Sequence, residues 1–129
     1  MGLLRALTTN RAFTEAEADD PRLRGRSYAV PFAEVWAVAL EIAQTTRGWT
    51  IVSSDPRAGE IVAEATTRLW KFTDDVWIAV SLDELGQTRV EMASASRKGA
   101  ADLGTNARRI ARFLRTLDGR LFGSKRANR

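Results

Sequence analysis

Apolar and polar residues follow two different rhythms along this chain. From Phe32 to Ala43 the apolar positions Phe32, Val35, Trp36, Ala39, Leu40, Ile42 and Ala43 recur every three or four residues. That spacing predicts an amphipathic helix entered through Pro31 and stopped near Gly48. The second helical signal is more regular: Leu103, Ala107, Ile110, Leu114, Leu117 and Leu121 are separated by four, three, four, three and four residues. Arg108, Arg109, Arg112 and Arg115 fall away from this stripe, so the segment predicts a docked helix with a basic outer face.

Between the helices the period drops to two. Ser27–Val30 suits a short strand, because the residue ahead of Pro31 is pushed towards extended backbone. Trp49–Ser53 follows as a strand, and the turn chemistry of Asp55–Gly59 leads into another at Glu60–Leu69. There Ile61, Ala63 and Ala65 face one way and Val62, Glu64 and Thr66 the other. Val76, Ile78, Val80 and Leu82 alternate with Asp75, Trp77, Ala79 and Ser81. A turn at Leu85–Gly86 returns the chain along Thr88–Ser96, with Val90 and Met92 inward. The order βαββββα predicts an α+β fold, an antiparallel meander with two helices on one face. Residues 26–118 form this single domain. Residues 1–25 are expected as a peripheral arm with a short helix at Leu3–Leu7, and residues 119–129 as a basic tail.

Composition changes the picture mainly by exclusion. The 129 residues contain no cysteine and no histidine. This removes disulfides, thiolate nucleophiles, cysteine-based metal sites and every histidine-based triad. A metal site would have to be carboxylate-built and suited to magnesium or calcium; no metal or cofactor is expected. The net charge of +4 conceals an asymmetry. From Arg97 onward ten bases face two acids, whereas residues 1–96 carry ten bases and fourteen acids. No apolar stretch approaches the length of a membrane span. Arg5 interrupts MGLLRAL, and Ala6 stands where a myristoylation motif has Ser or Thr. A cytoplasmic location is the resulting expectation.

The most unusual segment is Ser94–Arg109, SASRKGAADLGTNARR. A strand ends in small polar residues, turns through Arg97, Lys98 and Gly99, and passes Asp102 and Gly104. Thr105 or Asn106 would cap the helix that follows. Unpaired N–H groups beside Arg97, Lys98, Arg108 and Arg109 would make an anion-friendly pocket for a small anionic ligand or an unknown protein partner. The competing reading is architectural: Asp102, Gly104 and Asn106 shape a tight connection, and Arg97 pairs with Asp74 or Asp75. A turn at Leu85–Gly86 places Asp74 opposite Arg97 and Asp75 opposite Ser96. Adjacent strand residues face opposite sides, so Asp74 and Asp75 cannot flank one substrate bond. Either could meet Asp102 in space, which would be the core of a carboxylate hydrolase. Two other surfaces are candidates. Arg108, Arg112, Arg115, Lys125 and Arg126 would attract nucleic-acid phosphates. Trp70 and Trp77 on an uncovered sheet face would favour self-association.

The run DDVWIAV, followed after the hairpin by SASRKGAADLGTNARRI, resembles the bacterial domain-of-unknown-function family 1499. The family pattern is an Asp-Asp strand and then Ser-x-Ser-Arg-x-Gly-x-x-Asp-x-Gly-x-Asn-x-x-Arg. It matches here at Asp74, Asp75, Ser94, Ser96, Arg97, Gly99, Asp102, Gly104, Asn106 and Arg109. The upstream DPRLRGRSYAVPFAEVW is similar to the family's approach to its first helix, so the resemblance covers roughly residues 19–118. Many members carry a signal or lipid-attachment segment and an Asn-Cys-Val-Ser-like stretch, where this chain has TTNRAFTE. The resemblance implies a small α+β domain and brings no reaction, cofactor or ligand. The leading expectation is a non-enzymatic binding domain using the loop 97–109 or the open sheet face.

Overall fold

The computed structural model describes residues 11–15, 20–67, 72–97 and 103–127. Among the described residues six antiparallel strands and two α-helices make an α+β domain. The strands are β1 (Arg11–Phe13), β2 (Arg26–Tyr28), β3 (Trp49–Asp55), β4 (Glu60–Thr66), β5 (Thr73–Leu82) and β6 (Thr88–Ser96). Helix α1 (Phe32–Thr45) connects β2 to β3, and helix α2 (Leu103–Ala127) follows β6. The sheet order is β1-β6-β5-β4-β3, with β2 also paired to β6. Both short strands therefore share one edge of β6, β1 against Ala93–Ala95 and β2 against Thr88–Val90.

The meander β3 to β6 and the two helices appear in the expected order. The expected peripheral arm, however, contributes a strand: β1 joins the sheet, and Thr14 continues its pairing through a buried exchange with Met92. A three-residue hydrophobic signal is too short to announce an edge strand whose partner lies about eighty positions away. The proposed helix at Leu3–Leu7 lies outside the described residues.

The alternation in the strands sets which face is buried. Ile61, Ala63, Val76, Ile78 and Val90 are inaccessible on the helix-covered face. Val35, Ala39 and Ala43 of α1 and Ile110, Leu114 and Leu117 of α2 close over them. Truncating one such leucine to alanine costs about 2–5 kcal/mol in a core of this kind. Helix α2 also runs past Gly119, where a frayed tail was expected. Gly119 sits exposed with open space around it, while Leu121 packs into the core. That burial offsets the ~1 kcal/mol helix cost of the glycine.

Two turns decide geometry. In the β3–β4 connection Gly59 has φ +69° and lies so close to β5 that a Cβ would stand 2.0 Å from the Val80 carbonyl oxygen. In the β5–β6 hairpin the Asp83 carboxylate accepts from the N–H groups of Leu85 and Gln87, 2.9 Å each. This centres the turn on Leu85 itself. Asp74 consequently pairs with Ser96 and Asp75 with Ala95. The register is one residue away from that expected from a Leu85–Gly86 turn, so Asp74 does not oppose Arg97. Edge strand β3 is interrupted by a bulge between Ile51 and Ser53, with Val52 exposed. Among the described residues no helix is long and apolar enough to cross a membrane.

Candidate functional site

The observed register brings Asp74, Ser94 and Ser96 onto the inner face at one end of the sheet. Helix α2 begins over that end. Asn106 and Arg109, three residues apart and so on one side of the helix, reach down to the strands. The Ser94 hydroxyl donates to Asn106 Oδ1 at 2.7 Å, and Asn106 Nδ2 donates to Ser96 Oγ at 3.0 Å. Arg109 Nη1 donates to Asp74 Oδ2 at 2.8 Å, to Asn106 Oδ1 at 2.9 Å and to Ser94 Oγ at 3.1 Å. The Arg109 and Asp74 side chains are only 12% and 4% exposed. Among the described residues no buried side-chain nitrogen or oxygen lacks a partner.

This knot corrects two expectations. Asn106 does not cap the helix, because α2 starts at Leu103 and the Asn106 amide is used by the two serines. Arg109 is not on the solvated face. The first turns of α2 overhang the sheet end, and its long side chain runs back to Asp74. Removing one partner from such a pair costs about 3–5 kcal/mol, since the survivor is left charged and buried.

Asp75 occupies the opposite face and builds a different assembly. Arg97 Nε donates to both Asp75 oxygens at 3.2 and 3.1 Å, and Nη2 donates to Asp75 Oδ1 at 2.7 Å and Glu64 Oε2 at 2.5 Å. Register places Glu64 directly beside Asp75, so one guanidinium spans β6, β5 and β4. The Asp75 bonds, and then that of Glu64, hold the Arg97 guanidinium above its ordinary range. A carboxylate hydrolase gains no support here, since Asp74 lies behind Arg109 and Asp75 is clamped by Arg97. Among the described residues no three acidic side chains gather as a metal site. Lys98, Gly99 and Asp102 lie outside the described residues, and Gly104 is exposed in the first turn of α2.

A third carboxylate anchors the far half of α2. Asp118 accepts from the buried Tyr28 hydroxyl at 2.6 Å and from Arg26 Nε at 3.0 and 3.2 Å. Burial, followed by the bond to Asp118, pushes the Tyr28 phenol above its ordinary value.

A groove of about 350 Å³ lies between the C-terminal end of α1, strands β3 and β4, and α2. Arg108, Arg109, Arg112 and Arg120 line it from α2, and Arg47 from the segment after α1. Among the described residues no carboxylate lines it. Arg109 is committed to Asp74, and Arg120 to Glu41 at the rim. Among the described residues Arg47, Arg108 and Arg112 form no ion pair; Arg108 donates to Thr105 Oγ1 at 3.3 Å. The Thr45, Thr46 and Thr116 hydroxyls donate to carbonyls of their own helix. Guanidinium groups therefore face the space together with the hydroxyls of Thr66 and Thr105. At its base Trp49 stacks on Phe113, centroids 5.7 Å apart and planes 2° from parallel.

A family model described as protein of unknown function (DUF1499) matches residues 3–117. The chain belongs to that family. No curated protein and no solved structure matches it. The described residues on which the sequence resemblance rests divide by face, with Asp74, Ser94, Ser96, Asn106 and Arg109 in the inner knot and Asp75 and Arg97 in the outer clamp. Among the described residues of that set, Arg109 also lines the groove. Arg108 and Arg112 were visible in the sequence as a basic face, one turn apart. Arg47 and Trp49 were missed, because only tertiary packing sets the end of α1 beside α2. Arg115 is exposed but lies outside the groove, and the Lys125 and Arg126 side chains lie outside the described residues. Trp77 is half-buried on the outer face between Val62 and Ala93, and Trp70 lies outside the described residues.

Proposed function

We propose that this DUF1499 domain is a binding module rather than an enzyme, and that it holds an anionic small molecule in the arginine-lined groove. One observation carries the reading: Arg47, Arg108 and Arg112 face a shared concavity in which, among the described residues, they have no carboxylate partner and no acid joins the lining. Like charges gathered in a concave, partly desolvated space repel, and an anion relieves that repulsion. Planar guanidinium groups also match phosphate and carboxylate oxygens in pairs. The reading moves the site expected in the loop 97–109 towards its helical end. The signature knot then acts as the fixture that sets α2, and Arg109 with it, against the sheet. A volume near the low end of small-molecule sites favours a compact ligand over a long strand.

Calorimetric titration with pyrophosphate tests this. Binding should be saturable, should weaken by about tenfold or more in Arg112→Ala and Arg108→Ala, and should be unchanged in Arg97→Ala. Equal affinity in all four proteins would refute the groove as the site.

A further inference from the structure

The groove is larger than an anion alone requires. Its roughly 350 Å³ is on the order of ten times the liquid volume of one water molecule. An inorganic phosphate would leave most of it solvent-filled. The lining also has two zones. Cationic donors line the groove from α2 at Arg108 and Arg112, and from the segment after α1 at Arg47. Trp49, Ala65 and Phe113 form an apolar floor. Trp49 is half-buried while Phe113 is buried. The indole is braced on one side by its parallel stack with Phe113. A braced, partly exposed indole offers a flat apolar surface at little entropic cost.

We propose, building on the anion-binding reading, that the ligand is nucleotide-like: a phosphoryl or diphosphoryl group joined to a planar ring. The phosphoryl oxygens are held by Arg108, Arg112 and Arg47, and the ring lies against Trp49. Stacking of a base on an aromatic side chain strengthens binding by about tenfold. The phosphates supply the attraction and the ring the selectivity, so neither part alone fills the site.

The test compares pyrophosphate, ADP, adenosine and a single-stranded oligonucleotide on the full chain. ADP should bind on the order of tenfold more tightly than pyrophosphate, and adenosine only weakly. Trp49→Leu, which removes the aromatic face, should keep the pyrophosphate affinity and lose most of the ADP advantage. If that variant fails to fold, the wild-type ratio of ADP to pyrophosphate still decides. Equal affinity for ADP and pyrophosphate would overturn the ring assignment while leaving the anion site standing. Absence of binding by every probe would overturn both. Tighter binding of the oligonucleotide than of ADP, with a steep salt dependence, would make the partner a nucleic-acid strand and reject the small-molecule ligand.

Discussion

Asp74 and Asp75 are neighbours of identical chemistry, and each is paired with an arginine, yet they do different things. Asp74 points under α2 and meets Arg109 where the two side chains are 4% and 12% exposed. Asp75 points away from the helices and meets Arg97 where the values are 27% and 47%. The inner pair is expensive to desolvate and is surrounded by Ser94 and Asn106, which satisfy the remaining lone pairs and protons. The outer pair has better two-pronged geometry but exchanges with water and salt. Geometry alone would rank Arg97–Asp75 first, and burial reverses the order. The inner pair therefore fixes the helix to the sheet, whereas the outer one decorates the sheet's open face.

Four measurements bear on that contrast. The largest effect belongs to Asp74→Ala, which should lower unfolding free energy by about 3–5 kcal/mol in chemical denaturation. A loss below about 1 kcal/mol would mean that water already reaches the knot. Next comes Asn106→Ala, which strips Ser94, Ser96 and Arg109 of a shared partner without removing a charge. A loss of roughly 1–3 kcal/mol is expected, smaller than for Asp74.

The third effect concerns the half-buried Asp118 cluster, which lies between the two extremes. Tyr28 is the chain's only tyrosine, and its phenol is raised above the ordinary value of 10.0. The folded protein then keeps a proton that the unfolded chain releases, so stability is intact below pH 10 and declines as pH rises beyond it. Tyrosinate absorbance should appear only with unfolding, and Tyr28→Phe should flatten the alkaline slope. Ionisation near pH 10 in the still-folded protein would contradict the buried bond to Asp118. The smallest effect is Arg97→Ala, whose stability change should be a minor fraction of the Asp74 loss and should shrink further in high salt.

The sequence makes the meander legible because its strands alternate cleanly and its helices repeat at three and four. Val76, Ile78 and Val80 declare their face without help, as do Ile110, Leu114 and Leu117. The places where it misleads are those where long-range packing decides. Strand β1 is three residues long and is defined by its partner, not by its own pattern. The hairpin turn is set by the Asp83 side chain, and a shift of one residue there exchanges the partners available to Asp74. Arg109 reads as one more member of a basic helix face, and only the position of α2 over the sheet end reveals its inward role. The groove was half visible, in the arginines of α2. Its other half, Arg47 and Trp49, carries no periodic signal that would tie it to a helix some sixty residues downstream.

Paired double-mutant cycles test the central contrast most directly: Asp74→Asn with Arg109→Gln, beside Asp75→Asn with Arg97→Gln. The inner cycle should give a coupling energy on the order of 2 kcal/mol or more, nearly independent of salt. The outer cycle should give a far smaller coupling that fades as salt is added. Equal couplings, or an outer coupling that exceeds the inner one, would contradict the assignment of Asp74 and Arg109 as the fixture of the fold.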